Sequence, residues 1–559
     1  MGIGRIGLGV CVVAAIACGS SSSEDAPAPG GTNNASSSSG DPSSSGGNGD
    51  GKKPDDSVIG TFPKDFVFGT AIAGFQVDMG CPTIAAEKCE DRASDWYQWI
   101  TTKRILDNPL LFMSKEPPST GPGFFELYEK DLDNCAGKGA SELGNGAVRL
   151  SIEWSRIFPQ PTFGAKDHAS LKAIASAEGL DFYHRVLSGM KKRGLKPFVT
   201  VNHYSLPLWI HDGNACNEDI DKCIADGKGG WADPNRARIV NEMTKYAAFL
   251  AEEYGQYVDH WATLNEPFSA VVIAGYIASS PMRSNPPGRT AAWMSIDGAK
   301  TAAHAMIEAH ARIYDALKAF DKVDADGDGK KAEVGIVYPF SEIVKTGNTP
   351  EHDKAAADAK YFFEDMFMDG ACAGRLDENW DQGPGTPPVQ SQLANRCDFI
   401  GVNYYFRFPA NPGGLLPGAV TGAISPFLTF DMLAPFEPDP HGIYTALKSA
   451  SKYGKPLYVT ETGTTQDDEP RGAAWVVQTL SEVRRAIKDG VDVRGYFAWS
   501  LMDNYEWNMG MNMKFGLYQV DPTNKARALR DAGVEFAAIA KARDVTAAQE
   551  QKYASYFAK

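Results

Sequence analysis

Eight short runs rich in apolar and β-branched residues recur along this chain, and helical patterns lie between several of them. The runs are 61–76, 147–154, 196–204, 258–266, 333–338, 397–405, 457–461 and 493–500, and the helical patterns are 180–193, 234–254, 300–320 and 473–489. Buried strands that alternate with helices form parallel sheets with helical cover. Eight such units predict the α/β class and a closed (β/α)8 TIM barrel, built as a single large domain with long loops at its C-terminal face.

Two of the predicted strands end in a glutamate. The segment TLNEP (263–267) places Asn265 and Glu266 at the end of the fourth strand, and LYVTETG (457–463) places Glu461 at the end of the seventh. One such motif is equally compatible with a helix cap or a solvated turn acid. Because active sites of these barrels lie at the C-terminal ends of the strands, two glutamates in this setting predict a two-carboxylate site.

The other strand ends add amides, an imidazole, a guanidinium and aromatic rings. These residues are Gln76, Arg149, His203, Asn265, Asn403, Tyr405 and Trp499. Such a set suits a sugar, whose hydroxyls need donors and acceptors and whose apolar face packs on an aromatic ring. Glycoside cleavage needs one acid to protonate the leaving oxygen and one carboxylate to attack carbon or activate water.

Several other functions are disfavoured. The chain has no G-x-S-x-G motif and no cysteine at a strand end beside a histidine, which argues against serine and cysteine hydrolases. No glycine-rich phosphate loop follows a strand, so a nucleotide cofactor is not expected. The net charge of −15 also argues against a nucleic-acid partner, because phosphate binding needs a basic surface.

The N-terminus has the pattern of a targeting segment. A short apolar run ends in AIAC (15–18), which is similar to a bacterial lipobox although Ala15 stands where leucine is usual. We predict a lipoprotein signal peptide over 1–17 and a lipidated Cys18; an ordinary signal peptide cut elsewhere is the alternative. The Ser/Gly-rich stretch 18–57 would be a disordered tether. The protein would then sit in the bacterial cell envelope, lipid-anchored at the outer surface or the periplasmic face, and would meet the membrane through the anchor alone.

The barrel domain is predicted over 58–545, followed by a C-terminal tail at 546–559. Its cysteines are spaced for disulfides, which an exported protein can form. Close spacing favours Cys81–Cys89 and Cys216–Cys223, and Cys372–Cys397 would close a longer loop and leave Cys135 free. The spacing alone does not decide the connectivity. None of these spacings is typical of a zinc site.

One acidic loop resembles the start of an EF-hand calcium loop. It contains Asp324, Asp326 and Asp328, but its twelfth position is Gly335 rather than a glutamate. The loop precedes the fifth strand, at the end of the barrel opposite the predicted site. A solvated Asp/Gly turn and a structural Ca²⁺ site both remain open, and no other cofactor or metal is expected.

The motifs together resemble family 1 of the glycoside hydrolases, the β-glucosidase and β-galactosidase family, from residue 62 to about 541. The matching segments are FGTAIAGFQ (68–76), RLSIEWSRIFP (149–159), NHYSLPLW (202–209), TLNEP (263–267), FIGVNYY (399–405), YVTETG (458–463), WSLMDNYEW (499–507) and FGL (515–517). The segments GFQVDMG (74–80) and DWYQW (95–99) are similar to the archaeal-type β-glycosidases of this family.

The resemblance implies catalytic roles. Glu266 would be the general acid/base that keeps a proton until it is delivered, and Asn265 would bind the sugar 2-hydroxyl. Glu461 would be the nucleophile, held ionised by Arg149 and Tyr405, which would both lower its pKa. The carboxyl groups would lie about 5–5.5 Å apart and the reaction would retain configuration.

The resemblance also implies substrate contacts. Sugar hydroxyls would be bound by Gln76, His203, Glu506 and Trp507, Trp499 would be the stacking floor, and Trp231 would line the aglycone side. Glu506 favours a neutral sugar and would repel a 6-phosphate, and Phe515 stands where the phospho-glycosidase branch has tyrosine. Two departures, Thr462 for asparagine and Tyr204 for tryptophan, affect the fine sugar preference rather than the reaction.

The sequence therefore predicts an enzyme, a retaining β-glycosidase acting on terminal non-reducing β-D-glucosides and also on β-galactosides or β-fucosides. The alternative is a non-catalytic sugar-binding surface lipoprotein on the same fold, which would be expected to lose Glu266 or Glu461. A glycosidase tuned to transglycosylation or to an unusual aglycone also remains open, as does the oligomeric state.

Overall fold

A computed structural model describes residues 61–413, 422, 424–432, 434–466 and 469–558, and these contain a closed parallel barrel. Its strands are β1 Val67–Ala71, β2 Ala147–Ser151, β3 Lys196–Asn202, β4 His260–Asn265, β5 Glu333–Pro339, β6 Phe399–Tyr404, β7 Leu457–Thr462 and β8 Val493–Trp499. Each strand pairs in parallel with the next, and β1 pairs with both β2 and β8. The predicted (β/α)8 barrel is confirmed. The predicted signal peptide, Cys18 and the tether lie outside the described residues.

The longer helices follow the strands in the order that a (β/α)8 barrel requires. They are Phe124–Ala136, Ala177–Lys192, Ala237–Tyr254, Ile296–Phe320, Pro350–Lys360, Met366–Ala373, Ile443–Ser451, Glu469–Lys488 and Asp531–Ala542. Short helices occupy the long loops, among them Gly74–Asp78, Ala86–Cys89, Asp95–Thr101, Lys103–Leu106, Trp154–Ile157, His168–Ile174, Gly213–Glu218, Ile220–Ala225 and Ala547–Tyr553. Smaller strand pairs join Glu342–Lys345 to Arg407–Ala410 and Tyr518–Val520 to Arg527–Leu529.

The first predicted strand is too long at both ends. β1 covers only Val67–Ala71, and Gln76 lies on the short helix Gly74–Asp78. The amide of Gly74 donates to Ser151 Oγ at 2.8 Å, which ties this helix to the end of β2. Gln76, which was predicted just beyond the end of the strand, therefore enters the mouth of the barrel from a helical turn.

Aromatic rings fill the lower interior of the barrel. Phe198 from β3 lies 5.2 Å from Phe399 on β6, 5.3 Å from Phe497 on β8 and 5.7 Å from Tyr458 on β7, measured between ring centroids. Packing of inward-facing side chains in layers makes such a barrel a filled core rather than a pore. Active sites of such barrels lie above this core, at the C-terminal ends of the strands.

The disulfide prediction is confirmed. The structure pairs Cys81 with Cys89, Cys216 with Cys223 and Cys372 with Cys397, and it leaves Cys135 free and buried. Beyond residue 545, where no structure had been predicted, helix Ala547–Tyr553 packs on the barrel, since Gln478 Nε2 donates to the carbonyl of Tyr553 at 2.6 Å. In the part of the chain that the structure describes, no helix has the length and apolarity needed to cross a membrane.

The acidic loop before β5 folds as a hydrogen-bonded turn. The carboxylate of Asp324 accepts from the amides of Gly327 and Gly329, and Lys196 Nζ lies 2.6 Å from Asp326 Oδ2. Asp259, which precedes β4, approaches Asp324 and Asp326 and accepts two further backbone amides. The contacts form the predicted Asp/Gly turn, and one carboxylate oxygen from each of Asp259, Asp324 and Asp326 lies within 4.8 Å of the other two.

A buried acidic cluster just beyond the C-terminal end of β2 makes stability depend on pH. Burial raises the pKa of Asp78 and of Glu153 to about 7 each, although Arg156 lies 3.2 Å from Asp78. Their pKa values in the unfolded chain are lower, so the folded state holds protons that the unfolded state releases. The corresponding stabilisation is present at low pH and is lost as the pH rises through about 7.

We expect Glu153→Gln to flatten this dependence. The free energy of unfolding of the wild type should fall between pH 5 and pH 8. That of the variant should fall by on the order of 3 kcal/mol less. Urea unfolding at the two pH values measures the difference. Glu252→Gln, an exposed acid on helix Ala237–Tyr254, is the matched control. Equal pH dependence in wild type and Glu153→Gln would contradict the assignment.

Candidate active site

Glu461 lies at the end of β7 with both carboxylate oxygens occupied. Arg149, from β2, donates through Nη1 to Glu461 Oε1 at 2.5 Å. Tyr405, just after β6, donates its hydroxyl to Glu461 Oε2 at 2.7 Å. Glu461 is buried at 3% exposure and Arg149 at 0%, so the pair is almost dry. These contacts orient the carboxylate as a nucleophile requires, and they match the predicted partners.

The net pKa of Glu461 differs from the sequence-based expectation. Burial raises the pKa of this carboxyl above its ordinary value, and the nearby charge of Glu266 adds to the rise. Arg149 and Tyr405 lower it, as expected, but do not outweigh burial. The predicted effects of Arg149 and Tyr405 on this pKa are confirmed, and burial, which sequence motifs do not show, gives the net rise.

Glu266 closes β4 with its backbone in the left-handed region, at φ 42°. Its side chain is held by two donors: the Tyr204 hydroxyl lies 2.6 Å from Oε2, and Asn403 Nδ2 lies 2.9 Å from Oε1. Burial beside Glu266 raises the pKa of Tyr204 well above its ordinary value, so its hydroxyl keeps its proton and donates. A third group, Arg283, brings Nη2 to 3.9 Å from Oε2.

Asn265 links the two glutamates through hydrogen bonds. Its Oδ1 accepts from Arg149 Nη2 at 2.7 Å and from Asn403 Nδ2 at 3.2 Å. Its Nδ2 donates to the Tyr204 hydroxyl at 3.1 Å and approaches His203 Nε2 at 3.2 Å. Arg149 and Asn403 in turn contact Glu461 and Glu266, so one continuous network spans the mouth from β2 to β7.

A second polar group lies against β8. Gln76 Nε2 donates to Asn504 Oδ1 at 2.8 Å and to Glu506 Oε2 at 3.1 Å, and Trp499 Nε1 donates to Glu506 Oε1 at 2.9 Å. Burial raises the pKa of Glu506 to about 7. Gln76 Oε1 is buried and has no hydrogen-bond partner among the described residues. Buried polar atoms are rarely left unpaired, which favours a ligand hydroxyl at this position.

His203 is a neutral donor in this site. Burial, with the charge of Arg149, lowers its pKa well below the ordinary value. Since Nε2 faces the amide of Asn265, the proton belongs on Nδ1, which is buried and has no partner in the described part of the chain. The ring also stacks 6.0 Å from Trp499 and 5.8 Å from Trp507. His203 therefore offers an N–H to a hydroxyl lying above an aromatic floor.

Three predicted contacts take more peripheral positions. Trp507 packs among Phe75, Trp96 and Tyr204 as well as His203. Phe515 lies edge-on to Tyr405, with ring centroids 6.0 Å apart. Trp231 lines a small internal cavity with Tyr204 and His211, a cavity that none of the carboxylates of the site lines.

The sequence assigned no role to three residues that contact or approach Glu266. Asn403, in the FIGVNYY segment, was predicted at the mouth as a strand-end residue, but its hydrogen bond to Glu266 was not predicted. Tyr204 was noted only as a departure from the family pattern. Arg283 lies in an irregular loop, where no periodicity or strand end marks it, and only the folded chain shows it at the mouth.

The family model for "Glycosyl hydrolase family 1" matches residues 58–545. The chain belongs to glycosyl hydrolase family 1. It is 33% identical over 516 residues to the beta-galactosidase of Pyrococcus woesei, which covers 85% of this chain and 95% of that protein. The beta-glucosidase of Thermotoga maritima, beta-glucosidase A, is 27% identical over 508 residues, covering 86% of this chain and 98% of that protein.

Solved structures agree. The beta-glycosidase of Thermosphaera aggregans superposes with a TM-score of 0.71 at 30% identity, covering 88% of this chain and 99% of that one. The protein is a retaining β-glycosidase, as family 1 enzymes are, and the family needs no cofactor. The non-catalytic alternative is not favoured, because both glutamates are present and correctly surrounded.

Glu506→Gln should weaken sugar binding more than chemistry. The carboxylate accepts from Gln76 and Trp499 and can accept from substrate hydroxyls as a charged group, and an amide has one acceptor fewer. We expect KM for an aryl β-D-glucoside to rise roughly tenfold or more, with a smaller change in kcat. Steady-state kinetics at pH 8, where wild-type Glu506 is ionised, measures both. A fall in kcat at constant KM would contradict this assignment.

Proposed function

We propose that this enzyme hydrolyses terminal non-reducing β-D-glucosides and β-D-galactosides, with Glu461 as nucleophile and Glu266 as acid/base. The observation that carries the proposal is the network from Arg149 and Glu461 through Asn265 to Glu266. It gives one glutamate a cation and a hydroxyl donor, and it places the other on the opposite side of a bridging amide. Relatives named both beta-galactosidase and beta-glucosidase support this pair of substrates.

The reaction would proceed by double displacement. A Glu461 oxygen attacks the anomeric carbon while the glycosidic C–O bond breaks, and Glu266 transfers its proton to the departing oxygen. An alcohol leaves and a glycosyl ester on Glu461 remains. Water then attacks the same carbon, Glu266 takes its proton, and the ester bond breaks to release the sugar with its original configuration.

The test uses 4-nitrophenyl glycosides of β-D-glucose, β-D-galactose, β-D-fucose and α-D-glucose. We expect turnover of the β-glucoside and β-galactoside, none of the α-glucoside, and a β-configured first product by NMR. Because β-D-fucose is β-D-galactose without the 6-hydroxyl, the ratio of kcat/KM for the fucoside to that for the galactoside reports how much this hydroxyl contributes. Inactivity on every β-glycoside would overturn the proposal, and an α-configured first product would overturn the double displacement.

We also propose that the enzyme is a lipoprotein of the bacterial cell envelope, anchored through Cys18. The support is the AIAC sequence (15–18) and the polar stretch that follows it, both in the sequence alone. Expression in a bacterial host with labelled palmitate tests this directly. Wild type should carry label and enter the detergent phase, and Cys18→Ser should do neither. An unlabelled wild type, cut elsewhere, would overturn it.

A further inference from the structure

Arg283 is a cation at the mouth that the proposed reaction does not use. It lies in the loop after the helical segment Pro267–Ile277, with Nη2 3.9 Å from Glu266 Oε2. Its guanidinium carbon lies 5.6 Å from the ring centroid of Tyr204. Its charge lowers the pKa of Glu506 and so offsets part of the rise that burial causes there. The side chain is 32% exposed and can reach a ligand.

The donors of this guanidinium are uncommitted. Among the described residues no hydrogen-bond partner lies within reach of the Arg283 side chain, because the 3.9 Å separation from Glu266 is too long for one. Arg149, by contrast, makes four hydrogen bonds to its surroundings. Arg283 therefore presents a cation and five N–H groups at the mouth that a substrate can bind. The contrast with Arg149 indicates that the N–H groups of Arg283 bind a group of the substrate.

The position of Arg283 assigns that group to the leaving portion of the substrate. Glu266 delivers its proton to the leaving oxygen, and Arg283 approaches the oxygen of Glu266 that Tyr204 also contacts. The sugar itself is accounted for by the group around Gln76 and Glu506. A side chain beside Glu266, and outside that group, therefore meets the aglycone.

Two exposed apolar side chains stand on the segments around Arg283. Asn508 ties two loop segments together: its Nδ2 donates to the carbonyl of Phe112 at 3.1 Å and to that of Pro281 at 3.4 Å. Exposed side chains stand on these segments, Phe112 at 37% and Met282 at 51%. An aromatic leaving group would cover this apolar surface while its polar end reached the guanidinium.

We propose that Arg283 selects β-glycosides whose leaving group is an aromatic ring that bears a carboxylate. The inference rests on the proposed glycosidase function. A planar monoanion matches the guanidinium fork, which can donate two parallel N–H bonds to it. A dianion would be repelled more strongly by Glu266, Glu461 and Glu506, and a neutral hydroxyl does not need a full charge. Arg283 is thus a specificity-determining residue for the aglycone.

The test compares 4-carboxyphenyl and 4-carbamoylphenyl β-D-glucosides, which differ in charge and little in shape. The quantity measured is the ratio of their kcat/KM values in wild type and in Arg283→Gln. Comparing this ratio between enzymes cancels both the intrinsic reactivity of the leaving groups and any loss of folded enzyme. We expect Arg283→Gln to lower the ratio about tenfold, chiefly through KM for the acid, and Arg283→Lys to restore part of it.

Arg494→Gln is the matched control. This arginine is similarly exposed, at 38% against 32%, but it lies at the start of β8, at the opposite end of the barrel. The ratio of the kcat/KM values for the carboxylate and the amide should be the same in Arg494→Gln as in wild type. An unchanged ratio in Arg283→Gln, with both substrates slowed equally, would overturn the specificity role. Wild-type turnover of 4-nitrophenyl β-D-glucoside but not of the carboxylate would also overturn it, whereas inactivity on all three would overturn the proposed function itself.

Discussion

Glu461→Ala is expected to lower kcat for 4-nitrophenyl β-D-glucoside on the order of 10⁵-fold, with the protein still folded. The substitution removes the only group that, in the proposed reaction, forms the glycosyl ester. It also leaves Arg149 without its carboxylate at 2.5 Å, so the buried guanidinium loses its ion pair. Steady-state kinetics measures the loss, and circular dichroism confirms the fold. Glu252→Ala, an exposed acid outside the mouth, is the control and should match wild type.

Addition of azide to Glu461→Ala is the more decisive part of this test. A small anion can occupy the space vacated by the carboxylate and attack the anomeric carbon from the same side as Glu461 would. Since only one displacement then takes place, the product should be the α-glucosyl azide, with inverted configuration. Rate recovery with a β-configured product would contradict the assignment of Glu461, and so would a variant that retains most of its activity without azide.

The sequence predicted the fold because its signals are local and repeated. Each strand is a short apolar run, and eight of them with helices between leave few alternatives to a closed barrel. The ends of the first strand were misjudged for the same reason, since the run 61–76 continues past Ala71 in composition although the backbone turns into the helix Gly74–Asp78. Composition does not show the hydrogen bond from Gly74 to Ser151 that accompanies the turn.

The active site likewise contains one part that the sequence predicted and one part that it did not. The partners of Glu461 stand at strand ends in dense motifs, so Arg149 and Tyr405 were predicted and lie within hydrogen-bonding distance. The surroundings of Glu266 were harder to predict. Tyr204 was visible only as a replaced tryptophan, and its hydroxyl bond to Glu266 depends on a backbone with φ 71°. The net pKa of Glu461 also escaped prediction, because desolvation is a property of the whole packed mouth.

Glu266→Ala should show a loss that depends on the leaving group. General acid catalysis contributes roughly 10²–10⁴-fold, and it matters most when the departing oxygen is a poor leaving group. Cellobiose, whose leaving group is a sugar alcohol, should therefore lose about 10³-fold or more in kcat/KM. 2,4-Dinitrophenyl β-D-glucoside departs without a proton, so its kcat/KM should change little.

The second step of the reaction, hydrolysis of the glycosyl ester, provides an independent test of the role of Glu266. Without Glu266 no base assists the attack of water, so the glycosyl ester on Glu461 should accumulate from the dinitrophenyl substrate and lower both kcat and KM. Azide needs no base, and its attack on that ester should restore turnover and give the β-glucosyl azide, with retained configuration. Tyr204 and Asn403, which hold the two oxygens of Glu266 at 2.6 and 2.9 Å, remain in the variant to line the vacated space. Equal losses on cellobiose and on the dinitrophenyl substrate would contradict the role of Glu266, because a residue that only shapes the mouth would not distinguish leaving groups that need a proton from those that do not.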